Sequence, residues 1–306
     1  MNPIVSITMV TCNKSTWAQW CLNSILDYAD VPFDIKIVDN GSTDDWTQVL
    51  DRIDSIREAA KQNPHFCGLE VIRFKENKYI CHATNAGFKD RKGQYFCFIP
   101  SDTVMTEGFL STLLKEMEHH GLDGISPRWF EPKQMVDQTG RPQQLDLEDP
   151  SGSATQWADW FRQGMVPYSN AREELERGWM VGIFWMTKRA VWEKVGEWDE
   201  NFQLTCMDND FCWRVMIAGF QIGIVNTVWV FHVGPATRMD DLQNPNWRKI
   251  GDHDWQVVFQ DKWGTNPDDI KFLYKLIVEG QVRKKTLEDG KDEGIPEDIK
   301  NRRITA

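Results

Sequence analysis

Short apolar segments alternate with helix-forming segments over the first 120 residues, and this alternation constrains the fold more than any other feature of the sequence. The apolar segments are rich in β-branched and aromatic residues, which is typical of buried strands. The pattern predicts strands at residues 4–10, 34–38, 69–74 and 95–99. It predicts helices at residues 15–28, 45–61, 83–90 and 106–120. This order predicts an α/β fold with a mixed, mostly parallel sheet and helices on both faces.

The alternation becomes less regular after Gly121. Residues 130–155 are rich in Pro, Gln, Asp and Gly, which predicts a loop. We predict further helices at residues 156–177, 188–195 and 209–218 and further strands at residues 180–186 and 221–231. From about residue 280 the chain is dominated by Lys, Glu, Asp and Gly, which predicts a solvated tail.

Composition excludes some classes of protein. Of 306 residues, 41% are hydrophobic, and 35 basic against 46 acidic residues give a net charge of −11, which disfavours a nonspecific grip on nucleic acid. Seven scattered cysteines without CxxC spacing indicate a reducing compartment, with neither a zinc cluster nor a disulfide framework. No signal peptide and no apolar run of about 20 residues is recognisable, so we expect a cytoplasmic protein without a transmembrane segment.

A lone acid follows the predicted strand at residues 95–99. In open α/β sheets, ligands bind beyond the carboxyl ends of the strands, where Asp102 falls. A carboxylate in that place can hold a divalent cation that in turn holds phosphate. The alternative is a turn aspartate next to a helix that begins near Thr106.

Polar residues also follow the first two strands. Thr11 and Asn13 end the first, and Asp39 and Asn40 end the second, where Asp39 can accept a bond from a nucleobase N–H or a ribose hydroxyl. We expect Ser15 or Thr16 to cap the first helix and Ser42 or Asp44 to cap the second. Because neither GxGxxG nor GxxxxGK[ST] is present, a bound pyrophosphate would need a metal to neutralise it.

These segments, taken together with several others, resemble family 2 of the nucleotide-sugar glycosyltransferases, which have the fold called GT-A. The matching segments follow the family's order over roughly residues 4–264. They are Val10-Thr11-Cys12-Asn13, the segment 38–44 that begins Val-Asp-Asn-Gly-Ser, the Asn- and Gly-containing segment 76–87, Ser101-Asp102-Thr103, residues 188–202, Met207-Asp208-Asn209-Asp210, His232 and Lys262-Trp263-Gly264. Ser101 and Thr103 replace the two acids of the family's metal-binding DxD, and Met207 replaces its usual Glu.

The resemblance implies an inverting transfer of a sugar from a nucleoside diphosphate sugar to an acceptor hydroxyl. It implies Asp208, rather than Asp210, as general base, and Mn²⁺ or Mg²⁺ held by Asp102 and His232. Arg214 is expected to pair with a carboxylate. The residues expected to bind the donor are Thr11, Asn13, Asp39, Asn40, Asn77, Asn85, Ser101 and Asp102.

The resemblance also implies an organisation of the chain. Residues 1–120 are predicted to bind the nucleotide sugar, 121–264 to form the acceptor-binding and catalytic half of the same domain, and 265–306 to form a helical, charged tail. The tryptophans of the second half can stack on an acceptor or pack in the core: Trp157, Trp160, Trp179 and Trp185.

Two other functions stay open. The reduced DxD is compatible with a catalytically weak or inactive protein that binds nucleotide sugars or glycans. A nucleotidyltransferase is disfavoured, because Asn13-Lys14-Ser15-Thr16 lacks the glycine-rich, basic signature that such enzymes carry after strand one. The sequence leaves the acceptor open among a glycan, a lipid-linked sugar and a modified nucleobase.

Overall fold

The fold is seen in a computed structural model that describes residues 2–132, 135–136, 142–143, 165–167, 174–202, 206–232, 255–267, 269, 272–273 and 276–277. Its strands are β1 Val5–Thr11, β2 Phe33–Asp39, β3 Phe66–Arg73, β4 Tyr95–Pro100, β5 Thr103–Val104, β6 Gly124–Pro132, β7 Met135–Val136, β8 Pro142–Gln143, β9 Met165–Pro167, β10 Leu175–Arg177, β11 Trp185–Lys188 and β12 Ile222–His232. Its helices are α1 Ser15–Tyr28, α2 Trp46–Asp51, α3 Ile53–Ala60, α4 Tyr79–Phe88, α5 Phe109–His120, α6 Arg189–Val195, α7 Met207–Ile217 and α8 Trp255–Trp263. Among the described residues, no helix has the length and apolar character needed to cross a membrane.

The main sheet is continuous across both halves of the chain. Its strands lie in the order β10-β12-β6-β11-β4-β1-β2-β3, with β5 beside β12 and β9 beside β6. The ladders β1–β2, β1–β4, β2–β3 and β6–β12 are parallel, whereas β11 runs antiparallel to β4 and β6. The predicted α/β class with a mixed sheet is confirmed.

The predicted elements of the first half are largely confirmed, with two corrections. The helix predicted at residues 45–61 is broken at Arg52, where the backbone (φ −99°, ψ 22°) separates α2 from α3. Neither Ser15 nor Thr16 caps α1, because the helix begins at Ser15 and Lys14 precedes it in the left-handed region with φ 59°. Asp44 serves both helices instead, accepting the N–H of Ser15 at 2.9 Å and that of Trp46 at 3.1 Å.

The second half departs further from prediction. The central strand β6 was not predicted, because Pro127 and Arg128 weaken its strand pattern, yet Arg128 is 5% exposed and pairs with Glu176 at 2.9 Å. Within the range 156–177, residues 165–167 and 175–177 form the short strands β9 and β10, so the prediction of a helix is wrong for these residues. Residues 156–164 and 168–173 lie outside the described residues. The strand predicted at residues 180–186 begins later, at Trp185. The tail beyond residue 280 lies outside the described residues.

Apolar side chains cover both faces of the sheet. On one face Ile7, Ile35 and Ile37 contribute to a core with α1 and α5. On the other face Val10 and Val38 join a core with α4, α6 and α7. All seven residues of β1 are buried, as expected for a parallel strand covered on both faces.

Aromatic rings fill the second of these cores. Trp185 is 1% exposed and lies 5.5 Å from Phe88, 5.9 Å from Phe98 and 5.3 Å from Phe211 between ring centroids. Of the two roles considered for Trp185, packing is therefore the one it fills. Trp179 is partly buried. Trp157 and Trp160 lie outside the described residues.

Helix α4 packs closely on β1 through Gly87. A Cβ at Gly87 would lie 2.0 Å from the Cγ2 of Thr8, and Thr8 is fully buried. We expect Gly87→Ala to lower the free energy of unfolding by about 1–3 kcal/mol, because the helix must move off the strand. Urea denaturation measures this change.

Gly68→Ala is the matched control, because a Cβ at Gly68 in strand β3 would meet no atom within 4 Å. We expect this variant to keep the wild-type free energy of unfolding or to gain up to about 1 kcal/mol. Equal losses in the two variants would contradict the close packing of α4 on β1.

Candidate active site

The tips of strands β1, β2 and β4 lie side by side at the carboxyl edge of the sheet. In the two ladders Thr11 pairs with Asp39, and Val10 pairs with Pro100. Just beyond β4, the N–H of Ser101 donates to the carbonyl of Val10 at 3.0 Å. The residues predicted at these three tips therefore share one edge, where ligands bind in sheets of this kind.

Asp39 is buried at the tip of β2 and holds the turn that follows it. It is 3% exposed, and its Oδ1 accepts a hydrogen bond of 3.0 Å from the N–H of Ser42. Its Oδ2 lies 3.9 Å from the Nε of Arg73. Asn13 joins this turn, since its N–H donates to the Oγ of Ser42 and its Oδ1 accepts from the N–H of Thr43, both at 2.8 Å. The loops after β1 and β2 are thus fastened to each other.

Asn40 and Asn77 join the tip of β2 to the loop before α4. The Nδ2 of Asn40 donates to the Oδ1 of Asn77 at 3.0 Å, and the Oδ1 of Asn40 accepts from the N–H of Lys78 at 2.8 Å. The contact requires glycine at position 41, because φ is +81° there and a Cβ would lie 2.5 Å from the carbonyl carbon of Glu76. Both asparagines therefore order the edge of the site through their amides.

Asn85 lies away from these tips. Its Nδ2 donates to the carbonyl of Trp198 at 2.9 Å and to the Oε1 of Glu200 at 3.1 Å, and its Oδ1 accepts from the N–H of Trp198 at 3.0 Å. These bonds join α4 to the segment after α6. Among the described residues, no hydrogen bond connects Asn85 to the strand tips, and its part in donor binding stays a prediction.

Asp102 and His232 are brought together by the short strand β5. Thr103 pairs with His232 in the β5–β12 ladder, which places the adjacent Asp102 with its Oδ2 3.6 Å from the Nε2 of His232. Each side chain is 16% exposed, so both are reachable from solvent. A carboxylate oxygen and an imidazole nitrogen at this separation are donors that Mn²⁺ accepts, and the oxygen also suits Mg²⁺. The residues present therefore fit a divalent cation.

Asp208 lies at the first turn of α7 and faces the backbone of a neighbouring loop. Its Oδ2 accepts the N–H of Gly182 at 3.1 Å, and its Oδ1 accepts the N–H of Asn209 at 3.0 Å. Asp208 is half-buried, and both of its carboxylate oxygens lie against backbone N–H groups. Burial raises the pKa of Asp208 above its ordinary value, and the hydrogen bonds from the backbone only partly oppose this.

The dipeptide Gly182-Ile183 connects Asp208 to the Asp102 side of the edge. The N–H of Gly182 binds Asp208, and the carbonyl of Ile183 accepts a hydrogen bond of 3.1 Å from the Oγ1 of Thr103, the neighbour of Asp102. A Cβ at Gly182 would lie 3.2 Å from the Oδ2 of Asp208, so glycine allows the close approach. Sequence reasoning missed this connection, although an isolated Gly within a predicted strand is the signal for such an approach.

Asp210 has a different environment from Asp208. It is fully buried, and its carboxylate lies 2.9 Å from the Nε of Arg214 and 2.9 Å from the Nζ of Lys262. The Nε1 of Trp263 also donates to it at 2.9 Å. The expected pairing of Arg214 with a carboxylate is confirmed. Two cations thus neutralise Asp210, whereas no ion pair to Asp208 is present among the described residues.

Comparison with known proteins identifies the family. The chain belongs to glycosyl transferase family 2, whose model matches residues 6–196, more than half of the chain. An uncharacterized glycosyltransferase of Rickettsia felis is 30% identical over 116 residues. That match covers 38% of this chain but only 17% of the relative, so the chain spans a small part of the relative's length.

Solved structures identify the fold. S. aureus TarS is similar with a TM-score of 0.52 and 16% identity, over 76% of this chain and 37% of the TarS chain. GalNAc-T7, solved with UDP, GalNAc and Mn²⁺, is similar with a TM-score of 0.53 and 14% identity, over 75% of this chain and 43% of that chain. At such low identity the likeness concerns the fold alone. The predicted GT-A fold is confirmed.

The raised pKa of Asp208 has a measurable effect on stability. A raised pKa means that the folded protein holds the proton more tightly than the unfolded chain, so this contribution to stability is full below the ordinary pKa of 3.8 and is lost as pH rises through the folded value. We therefore expect the free energy of unfolding of wild type, relative to Asp208→Asn, to fall as pH rises from about 3.8. Urea denaturation at a series of pH values measures it.

Asp199→Asn is the control with the opposite sign. Burial alone would raise the pKa of Asp199, but its hydrogen bonds with Lys262 and Asn201 outweigh burial and lower the pKa. Wild type should therefore lose stability relative to Asp199→Asn as pH falls below the ordinary aspartate value. The environment assigned to Asp208 is wrong if both variants follow the same pH trend.

Proposed function

We propose that the protein transfers a sugar from a nucleoside diphosphate sugar to an acceptor hydroxyl with inversion at the anomeric carbon. The observation that carries the proposal is the hydrogen-bonded connection from Asp208 through Gly182-Ile183 to the Asp102 side of one sheet edge, which also holds Asp39. Membership of glycosyl transferase family 2 supports the reaction class. A half-buried acid that is connected through Gly182-Ile183 to a metal-competent pair suits a reaction that separates charge.

The nucleoside of the donor binds at the tips of β1 and β2 in this proposal. Thr11 is 1% exposed and its buried hydroxyl has no hydrogen-bond partner among the described residues, so a polar group that reaches the tip of β1 can satisfy it. Asp39 lies opposite Thr11 in the β1–β2 ladder, and a nucleobase N–H or a ribose hydroxyl can donate to it. Asn13, Asn40 and Asn77 hold the surrounding loops in place. GalNAc-T7 was solved with UDP, which supports a nucleotide as the donor's carrier.

Asp102 and His232 would hold the divalent cation, with Ser101 beside them. When bound, Mn²⁺ or Mg²⁺ supplies Lewis-acid stabilisation of the negative charge that develops on a departing diphosphate. GalNAc-T7 was solved with Mn²⁺, which supports this choice of ion. Because Ser101 and Thr103 offer no carboxylate, Asp102 is the acid that this segment contributes.

Asp208 acts as general base. Its carboxylate takes the proton from the acceptor hydroxyl while the acceptor oxygen forms a bond to the anomeric carbon, and the bond from that carbon to the diphosphate oxygen breaks. One direct displacement inverts the configuration. A raised pKa brings the base closer to the operating pH, which is the condition for efficient proton transfer. Asp210 is unsuited to this role, because Arg214 and Lys262 already neutralise it.

We expect Asp208→Asn to lower kcat by about 10²–10⁴, because general-base catalysis contributes about that factor. The assay measures nucleoside diphosphate release from a panel of UDP, dTDP and GDP sugars with Mn²⁺, and thermal shift with the same nucleotides measures binding. Asp208→Asn should keep the nucleotide-induced shift of wild type.

Asp45→Asn is the matched control, because Asp45 is an exposed acid that precedes another helix, α2. It reports what a helix-terminal charge alone contributes. Normal turnover by Asp208→Asn, or an equal loss in Asp45→Asn, would remove the base assignment.

The second candidate function is nucleotide-sugar binding without turnover, which the loss of acids at positions 101 and 103 favours. The dependence of activity on Mn²⁺ distinguishes the transferase from the binding protein. For an enzyme, Asp102→Asn and His232→Gln should each raise the Mn²⁺ concentration needed for half-maximal activity by about tenfold or more. Nucleotide binding without product across the whole panel would favour the binding protein. Unchanged Mn²⁺ dependence in both variants would contradict the metal site.

A further inference from the structure

Three metal-binding side chains meet at the C-terminal end of α5, outside the candidate active site. His119 and His120 are the last two residues of the helix, and Glu174 comes just before the edge strand β10. One donor atom from each side chain lies within 4.8 Å of the other two. Among the described residues, this is the one such group of three.

The backbone around the group is held from both sides. The carbonyl of Glu174 accepts the N–H of Asn226 of β12 at 3.2 Å. A guanidinium nitrogen of Arg177, in β10, donates to the carbonyl of His120 at 3.0 Å. The end of α5 is thus joined to the edge of the sheet where Glu174 lies, so the three side chains stay near one another without a metal.

Glu116 lies beside one of the imidazoles. Its Oε2 lies 3.1 Å from the Nε2 of His120, one helical turn earlier, and both side chains are 15% exposed. The two atoms are not hydrogen-bonded as the side chains stand, and a small rotation would let Glu116 accept that ring N–H and leave the Nδ1 of His120 as ligand. This carboxylate–histidine arrangement is usual around protein-bound zinc.

The local field also favours a cation. The unpaired carbonyls at the C-terminus of a helix carry partial negative charge. Gly121 ends α5 in the left-handed region with φ 65°, so the chain turns away directly after the two histidines. Two imidazoles, a carboxylate and the end of a helix dipole attract a cation, and they must outweigh the positive charge of Arg177, which donates to the His120 carbonyl.

We propose that His119, His120 and Glu174 bind one Zn²⁺, with water as the fourth ligand. Two imidazoles and one carboxylate form a known zinc ligand set. Tetrahedral ligands about 2.0–2.2 Å from one zinc lie about 3.3–3.6 Å apart, so donor atoms that lie within 4.8 Å of one another need to close by up to about 1.5 Å. His119 and Glu174 are exposed and can make this adjustment by rotating.

The zinc site is separate from the pair Asp102 and His232. Asp102 precedes the N-terminus of α5, whereas His119 and His120 close its C-terminus. A helix of 12 residues is about 18 Å long. Zinc here would fasten α5 to β10, an edge strand of only three residues.

Calorimetric titration of untagged, EDTA-stripped full-length protein with Zn²⁺ tests the proposal. The titration uses the Asp102→Asn, His232→Gln background, which removes the other pair of ligands. We expect one Zn²⁺ per chain in this background, and loss of that binding on adding His119→Gln or Glu174→Gln. Zn²⁺ should raise Tm in the background protein but not in those variants.

Two further variants test the surroundings of the zinc ligands and provide a control. Glu116→Gln should weaken Zn²⁺ binding by about 10-fold to 100-fold, as expected for a residue that orients a ligand. His82→Gln is the matched control, because His82 forms another histidine–glutamate pair, 2.9 Å from Glu200, that has no third ligand among the described residues. It should bind Zn²⁺ like the background protein. No Zn²⁺ binding in the background, or binding unchanged by Glu174→Gln, overturns the proposal.

Discussion

The parallel pairing of β1 with both β2 and β4 is the constraint on which the candidate site depends. Parallel strands end at the same edge of a sheet, so Thr11, Asp39 and the segment after Pro100 meet there, although the chain between them is long. The register is tightly fixed, because β1 is buried on both faces and a slip by one residue would exchange the faces of its side chains. Thr8 against Gly87 is one contact that such a slip would destroy.

Asp208 and Asp210 of α7 have different environments, which the sequence pattern alone does not distinguish. Asp210 turns into the core, where Arg214, Lys262 and Trp263 hold it. A buried carboxylate left without its cations would cost about 3–5 kcal/mol, so these contacts fix the first turns of α7 and its distance from α8. Asp208, two residues earlier, turns toward Gly182. The buried ion pairs therefore position Asp208, whose own carboxylate accepts two backbone N–H groups and has no ion pair among the described residues.

Sequence reasoning predicted the residues of the edge better than their connections. The strands that end in Thr11 and Asp39, and the strand that precedes Asp102, have simple apolar patterns and were predicted within a few residues. β6 was missed, because its Pro127 and its buried Arg128 are satisfied by tertiary partners that no local pattern shows. The choice of Asp208 over Asp210 depended on family resemblance, since only the fold brings Lys262 next to Asp210.

Thr103 gives a physical reason for the reduced acidic motif. Its side chain is fully buried, and its hydroxyl donates to the carbonyl of Ile183. An ionised aspartate at this position could not donate a hydrogen bond and would face the carbonyl oxygen with a buried negative charge. Threonine instead holds the Gly182-Ile183 backbone in place, and the same backbone donates to Asp208. The hydroxyl of Thr103 therefore joins the segment of Asp102 to the same stretch of backbone that donates to Asp208.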